Sequence, residues 1–146
     1  MTLLTVERVA ALQRVDLFSE VPGRTLAAVA RHAAEVLVEP GTTFIVQGAV
    51  EDHLFVVVEG RVRVHRGDRT LAELGPGSTV GELAALVPEP RNASVTAVER
   101  TRLLRLGKLV LDELIADRPA LAGGIITALV QRLRRVQVDP ALAERT

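Results

Sequence analysis

The chain contains no cysteine. That excludes disulfides, thiolate nucleophiles and cysteine-based zinc sites. Tryptophan and tyrosine are also missing, and aromatic residues make up only 2% of the chain. A surface that stacks nucleobases on several rings is therefore excluded, and the core has to be built from Val, Leu, Ile and Ala. The aromatic rings that remain, Phe18, Phe44 and Phe55, all sit in apolar contexts. Nor is there an excess of either charge, since 18 Lys and Arg balance 18 Asp and Glu. A general polyanion binder carries a basic excess. An anion bound here is thus expected to be small and held at one local site.

Long apolar runs are lacking as well. Glu7, Arg8 and Arg14 interrupt the N-terminal apolar stretch, which leaves no core for a signal peptide. The longest uncharged run near the C-terminus, residues 119–131, has 13 residues and is too short to span a bilayer. A cytoplasmic protein is the expectation. What the chain does have is apolar material: 48% hydrophobic residues in 146 are enough for one domain with one core.

Periodicity divides that material into three parts. Val6, Val9, Ala10 and Leu12 recur at helical spacing and predict a short helix over 5–13, with Thr5 as its cap. Residues 16–19 break it. Pro22 is placed for the first turn of a second helix through about His32, with Leu26, Val29 and Ala30 inward. After Ala33 the period drops to two. Val36, Val38, Phe44, Val46, Phe55, Val57, Val62 and Val64 alternate in short segments punctuated by glycine. Such strands predict a mainly β fold, an antiparallel eight-stranded jelly-roll barrel, with a hairpin tip at 66–69. One helical turn is expected after Gly81, stopped by Pro88, and then strands near 94–98 and 103–106. From Lys108 the helical period returns in two closing helices separated at 117–119, the last running over about 120–137. The expected organisation is one domain over 1–138: N-terminal helices 1–32, a β-roll 33–106 and closing helices 107–137. Residues 139–146 form a tail.

Chemistry concentrates between Gly81 and Val95. A helix start offers unpaired backbone N–H groups and partial positive charge, which suits an anion. Arg91 follows on re-entry to the sheet, where a guanidinium can fork onto two anionic oxygens. Glu82 supplies two acceptor oxygens suited to a hydroxyl donor. A cation and an acceptor on one phosphate-sized cradle fit a ligand carrying both a phosphate and a hydroxyl.

The run Gly81-Glu82-Leu83-Ala84, followed by Pro90-Arg91-Asn92-Ala93-Ser94-Val95, resembles the phosphate-binding cassette of the cyclic nucleotide-binding domain family. That family includes the catabolite activator protein and the regulatory subunits of protein kinase A. The likeness extends to Leu17-Phe18, Pro40-Gly41, Gln47-Gly48, the stretch from Phe55 to Val62, and the two closing helices. It implies that Glu82 accepts from a ribose 2′-hydroxyl and Arg91 pairs with a cyclic phosphate. Backbone amides near Gly81, Leu83 and Ala93 would complete the cradle, and Val62, Val64 and Leu74 would wall the pocket. Ala84 belongs to the same motif. Asn92 departs from the Ser, Thr or Ala often found at its position, and Val80 stands where a large apolar residue is common. The implied ligand is cAMP or cGMP, with cAMP favoured. No further cofactor, no metal and no catalysis are implied, and ligand binding is expected to repack the closing helices.

Arg132, Arg134 and Arg135 cluster on the last helix. They form either a solvated face that complements the helix C-terminus or, by the resemblance, a lid in which Arg134 or Arg135 stacks on the purine. Two rival functions accompany the sensor. One is a protein-interaction module that kept the fold and lost the nucleotide. The other is a cupin-like enzyme, disfavoured because Phe55 stands where a second metal-binding histidine would follow His53. No helix-turn-helix segment is recognisable, so direct DNA binding is not expected. A homodimer, or service as a regulatory domain of a larger effector, are the partner arrangements considered.

Overall fold

The computed structural model of the protein describes residues 2–138, and the expected tail lies outside them. Helix α1 (Thr5–Gln13), a 3-10 turn (Asp16–Phe18) and helix α2 (Gly23–His32) lead into the strands. The strands are β1 (Ala34–Val38), β2 (Thr43–Ile45), β3 (Val50–Glu51), β4 (His53–Glu59), β5 (Val62–Arg66), β6 (Arg69–Leu74) and β7 (Thr79–Val80). A second 3-10 turn (Glu82–Ala85) precedes β8 (Glu89–Pro90), β9 (Ser94–Ala97) and β10 (Thr101–Gly107). Helices α3 (Lys108–Asp117) and α4 (Pro119–Val138) close the chain.

The architecture is mainly β, antiparallel, with flanking helices. Its detail differs from the expected eight-stranded barrel. Ten short strands form three sheets, ordered β1-β10-β4-β7, β2-β9-β5-β6 and β3-β8, and among the described residues these do not join into one closed barrel. Gly81 and Pro88 interrupt the ladder on either side of the second 3-10 turn. Left-handed glycine and N–H-less proline both end regular pairing.

Helix boundaries lie close to those expected, with two corrections at their starts. Pro22, expected in the first turn of the second helix, is the cap position of α2, which begins at Gly23. Thr5 is the first helical residue and not the cap of α1. The cap position is Leu4, whose N–H donates to the Glu7 carboxylate at 2.9 Å. Of the residues whose spacing predicts α1, Val6 is 75% exposed and Leu12 is the buried one.

The interior is divided where one core was expected. Strand β4 explains this: Leu54 and Val56 pack under the helices with Leu12, Phe18, Leu26 and Leu121, while Phe55 and Val57 point into the roll with Ile45, Val62 and Val95. Alternation along a strand buried on both faces turns a continuous apolar run into two clusters. Strand β10 divides in the same way, Leu104 and Leu106 against Leu103.

Candidate functional site

The short turn that begins at Glu82 hangs from β7, which pairs with β4 through Phe55–Val80 and Val56–Thr79. Gly81 follows at φ 73°, a left-handed conformation that disfavours any residue with a β-carbon. On the far side, the backbone of Arg91 is clamped by the loop before β3. Its N–H donates to the Ala49 carbonyl at 2.9 Å, and its carbonyl accepts from the Gly48 N–H at 2.9 Å. Strand β8 pairs with β3 through Val50–Pro90 and Glu51–Glu89. The cassette is thus held at both ends by backbone bonds that do not depend on its side chains. Lys108 adds a further tie, donating through Nζ to the Leu86 carbonyl at 3.0 Å.

Between these ends lies a cavity of about 210 Å³. Gly81, Leu83, Ala84, Arg91, Asn92 and Ala93 line it from the cassette, and Val64 and Val80 from the sheet. All eight were expected from sequence. Glu89, Pro90 and Val95 also line it and fall within the expected cassette, though none was given a role of its own; Ile45 lines it from outside the cassette and was not expected there. Ile45 reaches the site because β2 pairs with β9 in the register Ile45–Val95. Such a pairing leaves no local mark in the sequence.

Arg91 is 8% exposed, a buried cation facing this cavity. Its Nη2 donates to the His53 carbonyl at 2.6 Å and stands 3.9 Å from Glu51 Oε2. Its Nε is a buried donor with no acceptor among the described residues. His53 therefore serves through its backbone, which sequence patterns do not report. Its ring pairs with Asp52 instead, at 2.9 Å from Nδ1. Among the described residues, no group of three or more His, Cys, Asp and Glu gathers as a metal site.

The remaining expected site residues lie elsewhere. Val62 is fully buried in the roll core, and Leu74 packs against that core without lining the cavity. Glu82 is turned away from the cavity. Its Oε1 accepts a short hydrogen bond from Arg132 Nη2, and its Oε2 accepts from the Leu17 N–H at 3.2 Å. Arg132 also donates to Asp16 Oδ2 at 2.7 Å. Arg134 is exposed, Arg135 stands 3.6 Å from Asp16, and neither lines the cavity. The reason is packing: α4 runs back against the 3-10 turn at Asp16–Phe18, which draws its arginines to Asp16 and Glu82. The Arg132 guanidinium is held even more firmly protonated than usual, first by the Glu82 hydrogen bond and then by that of Asp16, against the opposing effect of burial. Asn92 lines the cavity with an exposed side chain, and its carbonyl accepts from Arg66 Nε at 2.9 Å.

Among the described residues, no helix is long and apolar enough to cross a membrane. In sequence, the CRP-like cAMP-activated global transcriptional regulator of Mycobacterium tuberculosis is 30% identical over 129 residues, covering 85% of this chain and 58% of the regulator. The chain thus spans little more than half the length of that relative. In structure, it is similar to the N-terminal domain of a transcriptional regulator from Streptomyces coelicolor A3(2), with a TM-score of 0.81 and 34% identity, covering 87% of this chain and 92% of that one. It is also similar to the regulatory domain of Toxoplasma gondii PKA, solved with cAMP, with a TM-score of 0.69 and 28% identity, covering 75% and 44%. The family model of the cyclic nucleotide-binding domain matches residues 35–118. With a cassette clamped at both ends, a buried arginine facing its cavity and these relatives, the chain belongs to the cyclic nucleotide-binding domain family.

Proposed function

We propose that this chain is a regulatory sensor that binds a cyclic nucleotide in the Arg91 cavity, cAMP in preference to cGMP, and responds by repacking its C-terminal helices. The observation that carries the reading is the Arg91 guanidinium. A buried donor without an acceptor costs about 1–3 kcal/mol, and Arg91 Nε is such a donor beside a cavity. A cyclic phosphate offers acceptor oxygens in the fork geometry that a guanidinium matches. The cavity, about 210 Å³, falls below the roughly 300–1,000 Å³ of sites that enclose a drug-sized molecule. It suits the phosphate and sugar, with the base projecting toward the mouth near Asn92.

In this reading Glu82 accepts the sugar hydroxyl after leaving Arg132, and the backbone near Gly81, Leu83 and Ala93 completes the cradle. Binding energy does the work of a switch through differential affinity for two arrangements of the helices, and no covalent chemistry is required. The preference for cAMP is supported by the names of the relatives, one cAMP-activated and one solved with cAMP.

Titration calorimetry with cAMP, cGMP and AMP tests the proposal. Saturable binding of cAMP, weaker binding of cGMP and none of AMP is expected. Truncating one member of a buried charged contact costs about 2–5 kcal/mol, so Arg91→Ala should weaken cAMP by more than about tenfold. Absence of binding by every cyclic nucleotide would overturn the reading and leave an interaction module.

A further inference from the structure

Arg132 is tied to both carboxylates that face it. It bonds Asp16 on the N-terminal 3-10 turn and Glu82 on the cassette, across 116 and 50 residues of sequence. Its side chain is 31% exposed and that of Glu82 16%, so the contact with Glu82 is partly shielded from water. Both Glu82 oxygens are engaged: one accepts from Arg132 and the other from the Leu17 N–H. A carboxylate placed by its motif beside the cavity is therefore held by Arg132 and Leu17 and does not line the cavity.

The tie also has a mechanical place. Helix α4 is anchored nearer its start by Gly124, Ile125 and Ala128, all buried. After Arg132 the next side chains, Leu133, Arg134 and Arg135, are exposed. Arg132 is the last residue of α4 that bonds the cassette among the described residues, and with Arg135, 3.6 Å from Asp16, it ties the distal turns to the body of the fold.

We propose that Arg132 sets the affinity of this chain for a ligand's sugar hydroxyl by holding the Glu82 carboxylate out of the cavity. The inference rests on the function proposed above. A ligand with a 2′-hydroxyl has to draw Glu82 from Arg132, and it gains only the difference between the two contacts. A ligand without that hydroxyl leaves the tie intact. Arg132 therefore compresses the discrimination between the two ligands and couples the gain of the hydroxyl contact to release of α4 from the cassette. A residue that merely supported the fold would shift both ligands alike.

The experiment is calorimetry with cAMP and its 2′-deoxy analogue on the wild type, Arg132→Gln, Arg132→Ala, Glu82→Gln and the double variant Glu82→Gln with Arg132→Gln. Partly exposed ion pairs amount to about 1 kcal/mol at most, so the Arg132 variants should bind cAMP about two- to fivefold more tightly. They should bind the deoxy analogue as the wild type does, so the preference for the hydroxyl widens. With Glu82→Gln already present, Arg132→Gln should change neither ligand. Arg132→Gln keeps side-chain length and hydrogen-bonding capacity, so it carries the test if Arg132→Ala fails to fold. Cyclic nucleotide binding that appears only in the Arg132 variants supports the inference. Weaker cAMP binding in Arg132→Gln, or equal shifts for both ligands, overturns it while the proposed function stands. No cyclic nucleotide binding in any of these proteins overturns both.

Discussion

A β-carbon at Gly81 would stand 1.9 Å from Nη1 of Arg91 and 2.9 Å from the His53 carbonyl oxygen. The glycine is thus the wall against which the guanidinium lies, besides adopting a φ of 73°. Gly81→Ala is expected to destabilise the fold by about 1–3 kcal/mol through backbone strain and crowding. It should also reduce cyclic nucleotide affinity as severely as loss of Arg91, because the guanidinium has to move. Gly67→Ala is the control. That glycine also has a positive φ, but nothing lies within 4 Å of its added carbon. It should carry the strain alone and bind normally. Thermal melts and calorimetry on both variants separate the two effects.

Arg91 itself should prove dispensable for stability. Replacing it with Met removes a buried cation whose Nε lacks an acceptor, and it also removes the donor to the His53 carbonyl. Each unsatisfied group costs about 1–3 kcal/mol. Since the two changes oppose each other, Arg91→Met should match the wild type in denaturant unfolding to within about 1 kcal/mol. Its affinity for cAMP should nonetheless fall by more than about tenfold. A large loss of stability would mark Arg91 as a structural residue first.

Neighbouring glycines in α4 should respond with opposite signs. A carbon added at Gly123 meets nothing within 4 Å, whereas one at Gly124 meets Val21 Cγ2 at 2.6 Å and the Glu20 carbonyl oxygen at 3.0 Å. Gly123→Ala should stabilise the protein by about 1 kcal/mol through helix propensity. Gly124→Ala should destabilise it by about 1–3 kcal/mol, because α4 can no longer lie on the 20–21 segment without displacement. Urea unfolding of the two variants provides the comparison.

Acid should loosen the attachment of α1. Glu35 on β1 accepts from the Leu3 N–H at 2.7 Å and from Arg8 Nη2 at 2.9 Å. Burial acts to raise the pKa of its carboxyl, but the Leu3 amide and the Arg8 guanidinium together outweigh it and hold the group below the ordinary glutamate value. A carboxylate with a depressed folded pKa stabilises the fold above its unfolded pKa. That contribution is lost as pH falls through the folded value. The melting difference between wild type and Glu35→Gln should therefore be constant near neutrality and shrink only below the ordinary glutamate range. A difference that stayed constant into strong acid would assign the effect to something other than ionisation.

Much of the fold was legible because its signals are local. The switch from helical to two-residue period at Ala33, and back at Lys108, reflects which side of each element meets the core. Glycine and proline mark the breaks because they restrict or free the backbone itself. The division of the core was not legible: the run 54–58 is apolar throughout, and nothing in it says that alternate residues serve different clusters.

The same boundary runs through the site. By itself, the sequence determined that the segment 81–95 has a glycine at its start and an arginine near its end, since those residue types carry their conformations and charges with them. Only the tertiary structure decided where the functional groups point. The His53 carbonyl holds Arg91, Ile45 reaches the cavity through strand register, and α4 returns to draw Glu82 toward Arg132 and away from the cavity. Each of these depends on contacts between residues distant in the chain, 38 apart for Arg91 and His53 and 50 for Arg132 and Glu82. A side chain's charge belongs to its residue, but its direction belongs to whatever packs beside it.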